Sequence, residues 1–136
     1  MPKVALLGTC NDSKWRDELI SMLSIDYFNP VVDDWNEEAQ ANEIRERKEC
    51  DYLLYVITPR LMGLYSIAEV TEDSIKQPEK TIFCFLPSDV GDNDRSIRFT
   101  KEAYKSLEAI AELVKRNGAT VLPNLLQVAG YLNSKK

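Results

Sequence analysis

Residues 52–57 read Tyr-Leu-Leu-Tyr-Val-Ile, a continuous apolar run without the alternation of a half-exposed strand. Residues 81–86 read Thr-Ile-Phe-Cys-Phe-Leu and have the same character. Such runs are typical of strands that helices cover on both faces of a parallel sheet. The two segments are therefore predicted to be central strands of an α/β domain, with Cys84 in its core.

Shorter apolar segments and helical patterns alternate on either side of these two runs. The other predicted strands are residues 4–7, 27–28 and 119–122. The predicted helices are residues 15–23, 35–49, 64–76, 103–117 and 123–132. This alternation predicts one domain, residues 1–136, with a doubly wound parallel sheet of about five strands, flavodoxin-like or Rossmann-like in class.

The composition excludes several kinds of chemistry. The 136 residues include 17 Lys and Arg, 22 Asp and Glu, and no histidine, and the formal net charge is −5. Without histidine there is no Ser-His-Asp or Cys-His nucleophile pair and no His-ligated zinc, so acid–base chemistry falls to carboxylates, Lys, Tyr or Cys. The acidic balance argues against a nucleic acid polymer as partner.

Cysteine usage and hydropathy indicate the setting of the protein. Cys10, Cys50 and Cys84 are odd in number and far apart, so we expect free thiols, and we expect neither a metal nor a cofactor. The apolar run at residues 4–7 is too short for a signal peptide, and no stretch approaches the ~20 apolar residues of a membrane span. These features predict a soluble, cytoplasmic protein with no membrane partner.

The predicted topology selects the loops where a ligand would bind. In a doubly wound sheet, ligands bind outside the carboxyl ends of the strands, near the point where strand order reverses. The loops at 8–13, 58–63 and 87–98 follow strands at that edge. The last is acidic and could be a lid over the site, but a plain solvated loop is the default expectation. None of them carries a Walker A motif, a GxGxxG fingerprint or the acidic residues of a response-regulator receiver.

Glu69 is the strongest catalytic candidate. It lies in the first turns of the helix after the central strand, beneath Gly63 and near Ser66, where the helix field favours an ionised acid. A carboxylate held there could act as a nucleophile. The alternative is a capping box formed by Ser66 and Glu69, in which the glutamate only satisfies a backbone N–H.

Glu43 is the second candidate, since it lies on the polar helix that leads into the same strand. Two carboxylates are the equipment for cleaving a glycosidic bond. The alternative is an ordinary surface ion pair between Glu43 and Arg47, which are spaced i,i+4.

Other polar and aromatic residues have similar double interpretations. Trp15 could stack on a base, although its place on an apolar helical stripe favours the core. Asn29, Asp33 and Asp34 follow the second strand, where sugar hydroxyls could bind, and Asp34 could equally be the N-cap of the next helix.

Several segments together resemble the nucleoside 2-deoxyribosyltransferase-like family. The resemblance covers about residues 3–133, and its most specific part is the Gly-x-x-x-x-x-Glu pattern from Gly63 to Glu69. The segments that carry it are residues 7–9 (Leu-Gly-Thr), 15–20 (Trp-Arg-Asp-Glu-Leu-Ile), Asn29-Pro30 with Trp35, Cys50-Asp51 and 62–69 (Met-Gly-Leu-Tyr-Ser-Ile-Ala-Glu).

The resemblance implies a function for the two carboxylates. Glu69 matches the family's nucleophile, which attacks C1′ of a 2′-deoxynucleoside to form a covalent deoxyribosyl-enzyme. Glu43 stands where the family has an aspartate that assists the leaving base. An incoming base then takes the sugar in a transferase, and water takes it in a hydrolase, so the implied partners are a nucleoside or nucleotide and a free nucleobase.

The resemblance also implies a substrate site and a homo-oligomer, because family members complete each other's sites across a subunit interface. Asn124 is the candidate for that role. The predicted substrate-binding residues are Gly8, Thr9, Cys10, Asn11, Trp15, Asn29, Asp33, Gly63, Ser66 and Asn124.

Gly63 is a departure from the family pattern. The transferases have an acidic residue there that holds the 5′-hydroxyl, and the related monophosphate hydrolases have serine. Two alternatives therefore stay open beside the transferase: an N-glycosidase of deoxynucleoside monophosphates, and a non-catalytic nucleotide-binding or sensing domain.

Overall fold

A computed structural model describes residues 1–10, 12–32 and 34–136. The strands are β1 (Lys3–Gly8), β2 (Asp26–Phe28), β3 (Tyr52–Ile57), β4 (Thr81–Phe85), β5 (Ser88–Val90), β6 (Ser96–Arg98) and β7 (Thr120–Val121). Five of them form a parallel sheet in the order β2-β1-β3-β4-β7, which is the core of the fold. The other two, β5 and β6, form a separate antiparallel pair. The α-helices are α1 (Trp15–Ile20), α2 (Glu37–Glu49), α3 (Tyr65–Lys76), α4 (Lys101–Arg116) and α5 (Leu125–Asn133).

This architecture confirms the predicted doubly wound α/β class. All pairings in the main sheet are parallel, and β1 lies between β2 and β3. The chain adds β2 on one side of β1 and then crosses to add β3 on the other. The switch point therefore lies between the carboxyl ends of β1 and β3.

The continuous apolar run of β3 is explained by burial on both faces of the sheet. Leu54 and Val56 pack with α1 and α5 on one face, while Leu53, Tyr55 and Ile57 pack with α3 and α4 on the other. All five side chains have 0% exposure. Cys84 is also fully buried, as predicted.

The start of α2 differs from the prediction. The helix begins at Glu37, and its N-cap is Asn36, whose side chain accepts a hydrogen bond from the backbone N–H of Ala39 at 2.8 Å. The interpretation of Asp34 as the N-cap was wrong. Both residues are good caps, so local sequence could not choose between them.

A pair of substitutions tests this cap. Asn36→Ala removes the acceptor for the Ala39 N–H and is expected to lower the free energy of unfolding by about 0.5–2 kcal/mol. Asp34→Ala is the matched control, because Asp34 is exposed and lies before the cap, and it should leave stability within about 0.5 kcal/mol. Urea unfolding of both variants measures the difference, and equal losses would contradict the assignment.

The segment predicted as a solvated loop at 87–98 is instead a β-hairpin. Strands β5 and β6 pair from Ser88 opposite Arg98 to Val90 opposite Ser96. The hairpin is joined to two neighbouring loops: Ser13 Oγ donates to Asp89 at 2.6 Å, and an Arg60 guanidinium N–H donates to the Val90 carbonyl at 2.8 Å. These hydrogen bonds join residues far apart in the chain, so the sequence alone could not indicate that this segment is ordered.

The C-terminal cap predicted for the fourth helix is confirmed, because Gly118, just after α4, adopts the left-handed backbone conformation with φ +108°. Within the described residues, no helix combines the length and the apolar character needed to cross a membrane.

Candidate active site

A cleft opens at the switch point between β1 and β3. It consists of two adjoining cavities of about 270 and 340 Å³. Both cavities are lined by Trp35, Glu43, Tyr65 and Glu69. The structure therefore brings the two predicted carboxylates together, between two aromatic side chains.

Glu69 is placed in this cleft by α3, which follows the central strand. The helix begins at Tyr65 after Leu64, and no side chain caps it. Ser66 is thus already inside the helix, and the capping-box interpretation was wrong. The Glu69 side chain is 11% exposed and one of its oxygens lies 3.2 Å from Arg47 Nη1.

Glu43 enters the cleft from α2 and is half-buried. The surface ion pair with Arg47 was also a wrong interpretation: in the described part of the chain, Arg47 pairs with Glu69, Glu72 and Asp73. Glu43 is left facing the cavity that it shares with Glu69.

Burial raises the pKa of both carboxyl groups in the cleft. Burial, and then the charge of Glu43, raise the pKa of Glu69 to about 7, against the opposing effect of Arg47. Burial also raises the pKa of Glu43, against the charges of Arg47 and Arg16. Two acids that disfavour each other's ionisation tend to hold one proton between them near neutral pH. The cleft can therefore present one carboxylate and one carboxylic acid at the same time.

The floor of the cleft is built from the end of β1. Gly8 lines the larger cavity, and its φ of +114° turns the chain where it lies against the Val56 backbone of β3. Thr9 is buried, and its Oγ1 accepts a hydrogen bond from the Thr58 N–H at 2.9 Å. Thr9 therefore ties the loops after β1 and β3 together and does not line the cleft.

Arg16 stabilises this turn by hydrogen bonds to its backbone carbonyls. It is 4% exposed, and its guanidinium donates to the carbonyls of Leu6 at 3.0 Å and Thr9 at 2.6 Å. Burial lowers the pKa of Arg16, an effect partly offset by Cys10 and Glu43. Arg16 lines the larger cavity as well.

Several predicted substrate-binding residues lie elsewhere or have another structural task. Trp15 is in the core, 3% exposed, and its indole N–H donates to the Thr9 carbonyl at 2.7 Å. Asn124 is the N-cap of α5 and accepts from the Gln127 N–H. Gly63 is exposed, with open space around it, and does not line the cleft.

The remaining predictions divide between the cleft and its surroundings. Ser66 and Cys10 line the larger cavity. Asn29 is exposed, accepts from the Val31 N–H at 3.1 Å, and lines a neighbouring cavity together with Cys10. Asn11 and Asp33 lie outside the described residues.

Sequence reasoning missed the side walls of the cleft. Trp35 and Tyr65 are 56% and 75% exposed, unusually open for such large aromatic groups, and Val31 and Val32 lie on the same rim. An aromatic residue beside a predicted ligand loop is a signal that could have identified Tyr65. The role of Arg47 had no local signal, because its partners lie on another helix.

The fold and the site together define a doubly wound α/β protein with a two-carboxylate cleft at the switch point. The described residues include no cluster of three or more Cys, Asp or Glu side chains arranged to hold a metal ion. Comparison with models of known protein families finds no match, and comparison with curated proteins finds none.

Proposed function

We propose that this protein cleaves the N-glycosidic bond of a 2′-deoxynucleoside or deoxynucleotide and transfers the sugar to another base. The observation that supports this most is the pair of half-buried carboxylates, Glu43 and Glu69, in one cleft at the switch point. Only Glu69 of the two is ion-paired with Arg47. With one proton shared between them, the pair can present an ionised Glu69 beside Arg47 and a protonated Glu43, the arrangement that retaining glycosidic chemistry requires.

The reaction proceeds in two displacements. An oxygen of Glu69 bonds to C1′ of the sugar as the bond from C1′ to the base nitrogen breaks, and its electrons leave with the base. Glu43 donates its proton to the departing base, so the products are a glycosyl ester and a neutral base. A nitrogen of the second base then attacks C1′, Glu69 leaves as a carboxylate, and Glu43 takes back a proton.

The walls of the cleft suit a planar, uncharged base. Trp35 and Tyr65 offer exposed aromatic faces beside the two acids. Stacking of a base on an aromatic side chain is worth roughly 1–3 kcal/mol and tolerates different bases. Such walls fit a reaction in which one base leaves and another takes its place.

The direct test is incubation of the protein with deoxyinosine and free adenine, then with single deoxynucleotides in the absence of an acceptor base. Chromatography measures base exchange and base release, and intact-mass measurement detects the deoxyribosyl adduct. Release without an acceptor would favour the hydrolase alternative. If ligands bind with neither exchange, release nor adduct, the non-catalytic alternative replaces the proposal.

The two carboxyl groups predict a bell-shaped dependence of kcat/KM on pH. The pair is active while the two groups share one proton, and Glu69, whose pKa is raised to about 7 in part by the charge of Glu43, loses the last of the two protons, so activity should fall about tenfold per unit as the pH rises above 7. Activity should fall again at lower pH, where both carboxyl groups are protonated and neither can attack C1′. Initial rates across pH 5 to 9 check the profile.

Glu43→Gln should change both the shape and the height of that profile. The substitution removes the negative charge that raises the pKa of Glu69, so Glu69 should ionise at lower pH. Without the general acid, the maximal rate should fall roughly 10²–10⁴-fold and the alkaline limb should disappear. Glu38→Gln, an exposed position on the same helix, is the control and should keep the original profile. An alkaline limb that persists near pH 7 in Glu43→Gln would contradict the pairing.

A further inference from the structure

We infer that Arg47 positions Glu69 for the reaction and that Asp73, itself held by Tyr55, keeps Arg47 in place. This inference rests on the proposed function of Glu69. It assigns a task to Arg47, which lines the smaller cavity of the cleft, and to Asp73 and Tyr55 behind it.

The guanidinium of Arg47 joins α2 to α3 through a forked contact. Its Nη1 lies 3.2 Å from Glu69 Oε2, while Nε and Nη2 donate to Asp73 Oδ2 at 3.2 and 3.1 Å. The side chains of Arg47, Glu69 and Asp73 are 15%, 11% and 3% exposed. A planar guanidinium with two anchored nitrogens has little freedom to rotate, so the third contact fixes the direction of the Glu69 carboxylate.

Asp73 is anchored from the core of the protein. The hydroxyl of Tyr55, a fully buried residue of β3, donates to Asp73 Oδ2, and the Gln77 side-chain amide donates to Oδ1 at 3.2 Å. Burial beside Asp73 raises the pKa of Tyr55, so the phenol keeps its proton for this bond. The chain of contacts thus runs from the central strand to the cleft.

This arrangement suits a carboxylate that changes charge during turnover. Arg47 contacts Oε2 of Glu69, so Oε1 is the oxygen available to attack C1′. When Glu69 becomes a neutral ester, Arg47 keeps its ion pairs with Asp73 and Glu72 and is not left as an unpaired buried charge. The cation therefore stays in position to receive the carboxylate when the ester breaks.

The charges around Glu69 set the direction of the expected effect. Glu43 from α2 and Glu72 and Asp73 from α3 all disfavour its ionisation, and Arg47 favours it. Removal of the Arg47 charge should therefore make Glu69 harder to ionise.

The experiment follows the titration of the Glu69 carboxyl carbon by NMR in the protein without substrate, together with the pH dependence of kcat/KM. Arg47→Gln should raise the Glu69 titration midpoint, and the alkaline limb that reports it, by about one pH unit or more. It should lower kcat roughly 10–100-fold while KM changes less than about threefold, since positioning is lost and the aromatic walls Trp35 and Tyr65 stay. Arg47→Lys should restore the midpoint more than it restores kcat, because an ammonium lacks the fork.

Two further variants keep the test decisive. Tyr55→Phe leaves the ion pairs of Arg47 intact and removes only the bond to Asp73, so it should lower kcat in the same direction by a smaller factor, and it carries the test if Arg47→Gln does not fold. Lys76→Gln removes an exposed cation from α3 that pairs with Glu72, and it should change neither readout.

The two readouts separate this inference from the proposed function. A folded Arg47→Gln variant with an unmoved Glu69 midpoint and unchanged kcat would overturn the inference while base release in the wild type still stands. If Arg47→Gln does not fold, unchanged kcat in Tyr55→Phe overturns it. A protein whose midpoint shifts as expected, but which releases no base, would contradict the proposed function and confine Arg47 to setting the charge of Glu69.

Discussion

Glu69→Gln is expected to abolish base exchange and base release, with a loss of roughly 10³-fold or more in rate and no deoxyribosyl adduct by intact mass. The amide has nearly the same shape as the carboxyl group, but its oxygen is a poor nucleophile toward C1′. Glu72→Gln is the matched control, because Glu72 contacts the same arginine from a position 52% exposed. Turnover that survives in Glu69→Gln would remove Glu69 from the mechanism.

The same substitution should make the protein more stable at alkaline pH. The pKa of Glu69 is raised from 4.5 to about 7 in the folded protein, so between these values the folded state binds more protons than the unfolded state. Stability is therefore lost as the pH rises from about 4.5 to 7, when the buried carboxyl group must ionise. Gln carries no such cost.

Urea unfolding measures this effect at two pH values. At pH 8, Glu69→Gln should be more stable than the wild type by roughly 1–2 kcal/mol, since solvent at the cleft reduces the full value of the shift. Near pH 4.5 the advantage should largely vanish. A variant less stable than the wild type at pH 8 would show that the ion pair with Arg47 outweighs the cost of burial.

Gly8→Ala is expected to prevent stable folding, with a loss of several kcal/mol. A Cβ at Gly8 would lie 2.1 Å from the Val56 carbonyl oxygen, and the φ of +114° is strained for any other residue. The Gly8 backbone that would carry this Cβ and the Val56 carbonyl both lie at the centre of the sheet. Neither can move without breaking the pairing of β1 and β3.

A second glycine provides the control for this substitution. Gly130 lies within α5, and a Cβ added there would meet no atom of the described residues within 4 Å, so Gly130→Ala should stabilise the protein by about 0.5–1 kcal/mol. Circular dichroism and thermal unfolding distinguish the two outcomes. A folded and stable Gly8→Ala variant would contradict the close approach of β1 to β3.

Local sequence patterns were sufficient to predict the sheet, but they were not sufficient to predict which groups contact Glu43 and Glu69. The apolar runs at residues 52–57 and 81–86 predicted central strands, because burial on both faces leaves no polar position in such a run. The capping box at Glu69 and the i,i+4 pair of Glu43 with Arg47 were equally good local patterns, and both were wrong. The capping box depended on where α3 begins, and the ion pair depended on which partner Arg47 meets. Spacing along the chain encodes neither of these.

The sequence by itself determined the α/β class, the edge of the sheet where the cleft lies, and the lack of histidine, which leaves any acid–base chemistry to carboxylates, Lys, Tyr or Cys. Only the tertiary structure decided that Arg47 pairs with Glu69 and Asp73, that Tyr55 anchors Asp73, and that Trp35 and Tyr65 flank the acids. The physical reason is that strand burial follows from a periodic pattern of apolar residues. The charge state of a buried carboxylate depends instead on groups brought within a few ångströms by the packing of separate helices.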